Sequence, residues 1–163
     1  IIKGDPGDPN VGFLRQGMEE VIGAAVASGD IVIVGEANSD GWKPENAQKN
    51  MEQILTANNN AVDAVLAQND GQDGDLAAIN RVARGTQTVS VWKNARDLGK
   101  AAGEIAGMLA SGTALDAIPG ASKFSGGEKG VEMNAILLDP TPITKETIGL
   151  AIDAGHISKE QAC

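Results

Sequence analysis

The chain has one cysteine, Cys163, and one histidine, His156. A single cysteine closes no disulfide within the chain and builds no cysteine-based metal site. A single histidine excludes a His-rich zinc site and leaves any catalytic triad dependent on one late residue, whose expected place is near a helix end. Basic residues are scarce as well: 13 Lys and Arg stand against 22 Asp and Glu, a formal charge of −9. No run of Lys or Arg is long enough to clamp a phosphate backbone, so nucleic acid is not an expected partner. No stretch approaches the roughly 20 consecutive apolar residues that cross a bilayer, and membrane insertion is not expected. Glycine-rich phosphate fingerprints, a nucleophile elbow and a metalloprotease helix are also missing.

What is present is an alternation. The 163 residues suffice for one sizeable core, and strand-type apolar runs alternate with helical patterns along them, the mark of βαβ units and a mostly parallel sheet. The opening "IIKGDPG" reads as the end of a strand entering a loop, as in a piece of a longer protein. Phe13, Leu14, Met18, Val21, Ile22 and Ala25 fall at helical spacing, and Gly29 ends that helix before "IVIVGE", a strand apolar on both faces. Pro44 suits a first helical position. Ala47, Met51, Ile54 and Leu55 follow as its apolar stripe, Asn58 to Asn60 break the helix, and "AVDAVLA" is the next strand. Leu76, Ile79 and Val82 predict a short helix, "TQTVSVW" a strand, and Leu98, Ala101, Ile105, Met108 and Leu109 a long helix. Gly126, Gly127 and Gly130 mark an exposed loop. "EMNAILLDP" predicts a last strand, and Thr144 caps a short helix that Gly155 ends.

In open parallel sheets, ligands bind outside the carboxyl ends of the strands. "GDPGDPN", "NSDGWKPEN" and "LAQNDGQDGDLAAIN" are all strand-end loops in this reading, and Lys93 follows the strand ending at Trp92. Their carboxylates accept from neighbouring hydroxyls, amides do both, lysine donates, and an indole covers the apolar face of a sugar ring. That set suits a monosaccharide and, being more acidic than basic, does not suit a phosphate. A bland reading stands beside each candidate. Asp8 and Asn10 lie in a Pro and Gly turn where such residues bond their own backbone. Trp42, in a loop beside Gly41, is as good a ligand platform as a core filler, whereas Trp92 reads as core. Asn69, Asp73 and Gly74 fall at the first, fifth and sixth places of a calcium loop, but Gly71 and Asn80 occupy its third and twelfth, so no metal is expected.

The segments "GDPGDPNVGFLRQGM", "DGWKPENAQKNMEQILTANNNAVDAVLAQND", "GQDGDLAAINRVARGTQTVSVWK" and "LLDPTPITKETI" together resemble the periplasmic sugar-binding proteins of bacterial import systems. The resemblance implies an α/β chain, a three-layer α/β/α lobe with a mostly parallel sheet, the type I periplasmic-binding-protein lobe. It covers nearly all of residues 1–163 as a single sugar-binding lobe, with the family's N-terminal lobe absent and, where Gly71 meets Gln72, one helix-strand unit either deleted or left out of the sequence. It further implies a pentose such as D-xylose as ligand, an ABC permease or sugar sensor as partner, a periplasmic location, no cofactor and no catalysis. Carried over by position, Asp8 and Asn10 match sugar ligands of the first loop, Trp42 the stacking indole, Asn69 and Asp73 the amide and carboxylate of the central loops, and Lys93 a lysine at the cleft. Asp70 and Asp75 are left to cap backbone or face solvent.

Three rival readings remain open at this point. The effector domain of a sugar-responsive regulator shares the architecture. A glycosidase would need two carboxylates across a cleft, one with a raised pKa, and these acids sit in polar turns that desolvate little. A lobe pairing through an exposed sheet edge is the third.

Overall fold

Proline, glycine and asparagine set the helix ends. In the computed structural model, which describes residues 1–69, 73–127 and 129–162, helix α1 (Asn10–Ser28) stops at Gly29, whose φ of 85° is the left-handed conformation glycine adopts without a Cβ penalty. Helix α2 (Pro44–Ala57) has its proline at the first turn and ends at Asn58, followed by Asn59 and Asn60 with positive φ. Helix α3 (Leu76–Ala83) and helix α4 (Ala95–Ala110) begin at Asp75 and Asn94, each accepting from a backbone N–H two residues on. The capping role expected of Asp75 is therefore observed. Asp75→Ala is expected to cost about 1 kcal/mol of stability in a urea titration. The junction at Gly71 and Gln72, Asp70 and Cys163 lie outside the described residues.

The chain divides into two units, Ile1–Ser90 with Ile143–Cys163, and Val91–Pro142. In the first, strand β1 (Ile2–Lys3) pairs in parallel with β2 (Ala37–Asn38), Ile2 opposite Ala37 and Lys3 opposite Asn38. On its other side Ile2 forms a parallel bridge to Ala67. Strand β3 (Ser90–Trp92) is hydrogen-bonded to β6 (Thr141–Ile143). The first unit's core gathers Ala78, Ile79 and Val82 of α3 with Ile143, Ala151 of α5 (Gly149–Asp153), Ile157 and Ala162 of α6 (Lys159–Ala162), all buried. Asn80 Nδ2 donates to Ala162 O at 3.2 Å and ties α3 to α6. In the second unit, α4 presents Ala101, Ile105 and Met108 half-buried, and Trp92 and Ile118 are buried. Trp92 is core, as read. Strand β4 (Ser122–Phe124) pairs antiparallel with β5 (Met133–Ala135).

Several expected strands are shorter than their sequences suggest. "IVIVGE" enters a ladder only just after its end, at Ala37, "AVDAVLA" only at Ala67, "TQTVSVW" only from Ser90, and "EMNAILLDP" only over Met133–Ala135. The first two cases share a physical cause. A strand exists by virtue of its neighbour, and β1 offers partners to the ends of both segments alone. Upstream, Ile31–Gly35 and Ala61–Leu66 flank an apolar cavity of about 330 Å³, and Val32 and Val65 stay exposed. On α1, only Met18, Ile22 and Ala25 of the apolar stripe are half-buried, while Phe13, Leu14 and Val21 face outward. Thr144 does not cap a helix directly: its N–H takes the Thr147 hydroxyl at 2.8 Å in a turn before α5. Gly155, with φ of 67°, follows that helix as expected.

A small charged cluster secures β1 and the segment entering β2. Glu36 accepts from Lys3 at 2.9 Å and from Arg15 at 3.4 Å. Hydrogen bonding from Lys3 chiefly, with the charges of Lys3 and Arg15, holds the Glu36 carboxyl below the ordinary glutamate value despite partial desolvation. A depressed folded-state pKa stabilises above the unfolded value, and that contribution is lost as pH falls through the folded one. Glu36→Gln is expected to flatten this acid limb of a stability-against-pH curve, by less than about 1 kcal/mol for so accessible a group.

Candidate functional site

The loops that leave β1 and β2 meet around one indole. After β2, Ser39 N donates to Lys3 O at 2.8 Å, and a 3₁₀ turn over Asp40–Trp42 follows. Gly41 and Trp42 both have positive φ, 68° and 57°. For a residue with a side chain this is an unfavourable conformation that the surroundings must enforce, and such outliers gather at functional sites. The indole is half-buried. Its Nε1 donates to Asp8 Oδ2 at 3.1 Å, and Asp8 Oδ1 accepts from Asn10 N at 2.9 Å. The Asx turn expected of this loop is thus present, and the same carboxylate also orients the tryptophan. Asn10 begins α1 and is exposed.

Three residues that sequence reasoning passed over complete the arrangement. Gly4 is buried against the indole, where a Cβ would overlap Cζ3, Cη2 and Cε3 of Trp42. Asp5 accepts from Gly7 N at 2.7 Å and from Gly41 N at 2.5 Å. These bonds, that from Gly41 foremost, hold its carboxyl below the usual aspartate value. Gln68 is buried, accepts from Gly4 N at 2.9 Å and donates to Val11 O at 3.0 Å. One amide therefore joins the end of β1, the start of α1 and the segment that delivers Asn69. Its position directly after the apolar run 61–67 is the signal the sequence offers.

Asn69 and Asp73 are half-buried. The loop beyond Asp73 is fixed by Gly74, whose N–H donates to Ser90 Oγ at 3.0 Å and whose carbonyl lies 2.7 Å from His156 Nε2. A carbonyl only accepts, so Nε2 carries the proton, and His156 is a loop anchor. The structure thus joins Asp8, Asn10 and Trp42 directly and sets Asn69 beside Gln68, while Asp73 is placed by a separate set of bonds. Lys93 is exposed and belongs to the second unit. Two cavities, of about 330 and 400 Å³, open elsewhere in the first unit and contain none of these side chains. Their linings are mainly apolar, whereas the indole cluster is built from two carboxylates, a buried amide and an indole N–H. Among the described residues no group of three or more His, Cys, Asp or Glu is placed to hold a metal.

Residues 1–72 match the periplasmic binding protein domain. The chain is 42% identical over 134 residues to the D-xylose-binding periplasmic protein of Escherichia coli (strain K12), covering 69% of this chain and 41% of that one. It is 36% identical over 183 residues to the D-xylose-binding periplasmic protein of Haemophilus influenzae, covering 98% and 54%. The chain thus spans about half the length of the curated relatives it matches. A crystal structure of an ABC transporter solute-binding protein from Clostridium phytofermentans with bound β-D-glucose superposes with a TM-score of 0.82 at 24% identity, over 99% of this chain and 59% of that one. The fold is the α/β fold of the type I periplasmic binding proteins, as the resemblance implied.

Proposed function

We propose that this chain is a sugar-binding lobe of a periplasmic solute-binding component of an ABC importer, taking a neutral monosaccharide such as D-xylose without covalent chemistry. The observation that carries this reading is Trp42: an indole forced into a left-handed backbone, seated on Gly4 and tied to Asp8. An indole so fixed stacks on a sugar ring with little entropy left to lose, and Asp8, Asn10, Asn69 and Asp73 supply acceptors and donors for hydroxyls. Lys93 remains a proposed donor on the resemblance alone. The relatives are named as binding proteins of the periplasm, which supports both the absence of catalysis and an extracytoplasmic location. Among the described residues no helix is long and apolar enough to cross a membrane. The alignment to the H. influenzae protein runs over 183 positions, more than the chain's 163 residues, and supports a relative carrying a segment that this chain lacks.

Calorimetric titration with D-xylose, D-glucose and a sugar phosphate tests the assignment. Neutral sugars are expected to bind, the phosphate not, and Trp42→Ala is expected to weaken binding about tenfold. Tighter binding of the phosphate, or an unaltered affinity in Trp42→Ala, would contradict it.

A further inference from the structure

We propose that Asp5 is a positioning residue for the indole of Trp42, its carboxylate locking the loop after β1 to the left-handed turn that carries the tryptophan. The proposal deepens the sugar-binding reading and rests on it for its functional consequence. Both Asp5 oxygens are engaged with backbone, Oδ1 with Gly7 N and Oδ2 with Gly41 N, across 36 residues of chain in the second case. Hydrogen bonds to an ionised carboxylate are about twice as strong as neutral ones. One of these lands on the residue immediately before Trp42, in the two-residue stretch of positive φ.

Without that bond the turn has an easier conformation available, because Trp42 can relax out of the left-handed region. Trp42 N donates to Ser39 O at 3.1 Å within the turn itself, and Asn46 Nδ2 donates to Asp40 O at 2.8 Å, so the bond from Gly41 N to Asp5 is the one that ties this turn to the β1 loop through its backbone. Asp5 also directly follows Gly4, on which the indole rests. One carboxylate thus fixes the spacing between the floor under the indole and the turn above it, and brings Nε1 within reach of Asp8. Its role is indirect: it sets the platform that the sugar meets.

The test uses Asp5→Ala and Asp5→Asn in the full chain. The two tryptophans give two indole N–H signals in a ¹H–¹⁵N spectrum, Trp92, buried in the other unit, serving as reference. Asp5→Ala is expected to move and broaden the Trp42 signal, leave that of Trp92 in place, and weaken D-xylose binding about tenfold. Asp5→Asn keeps one acceptor oxygen and is expected to fall between. An unmoved Trp42 signal in Asp5→Ala overturns the proposal, as does equal movement of both indoles, which marks general loss of structure. If Asp5→Ala does not fold, the same criteria apply to Asp5→Asn. Should the unsubstituted chain ignore xylose while Asp5→Ala still moves Trp42, the sugar reading fails and the positioning role stands.

Discussion

Gln68→Leu is expected to destabilise the chain by about 2–4 kcal/mol, because it removes the partners of two backbone groups at once. Leucine has a similar size and is more apolar, so the void it leaves is small. The loss lies in Gly4 N and Val11 O, which the amide now satisfies. Gly4 N is buried and has no solvent to turn to. Such a group forfeits its full desolvation cost, where an exposed one would recover a bond to water. Gln68→Glu separates the two bonds, since the carboxylate still accepts from Gly4 N but cannot donate to Val11 O. Its loss in a urea titration should exceed that of Gln68→Leu, because an unneeded charge is also buried. A change below about 0.5 kcal/mol in Gln68→Leu would show that the bridge contributes nothing to stability.

Gly4→Ala is the second large effect, and it acts on the site itself. The added Cβ overlaps three atoms of the Trp42 ring. The obstruction is a rigid indole whose Nε1 is held by Asp8 and whose preceding residue, Gly41, is held at its backbone N–H by Asp5. Either the ring leaves its seat or the β1 loop shifts, at a cost of about 1–3 kcal/mol typical of overpacking. The expected result is a lower melting temperature together with a changed tryptophan emission and loss of sugar response. Gly12→Ala is the control, since a Cβ there meets nothing within 4 Å. Equal stability of the two variants would mean that the indole does not occupy the seat described.

The sequence reveals the helices and only part of the sheet, for reasons that lie in how each is specified. Helix ends are local events: Gly29, Pro44 and Asn58 to Asn60 act through their own backbone preferences, and their neighbours need not be known. Strand pairing depends on residues far away in the chain. "IVIVGE" has the composition of a buried strand, yet whether it joins a ladder depends on what lies beside it, and β1 offers partners only near Ala37. The site divides in the same way. Asp8 and Trp42 announce themselves by residue type in a turn. Gly4, Asp5 and Gln68 matter through contacts with residues tens of positions away, and "GDPGDPN" gives no hint that its two aspartates perform different tasks.

The proposed seat of the neutral sugar is the cluster around Trp42. The most direct measurement is a titration of the ¹⁵N-labelled chain with D-xylose, following the two indole N–H signals. A sugar stacked on Trp42 gives a saturable shift of that indole's signal, with that of Trp92 unmoved and L-arabinitol, which lacks a ring to stack, giving a weaker response. A Trp42 signal that stays fixed up to saturating xylose, or a shift confined to Trp92, would contradict it.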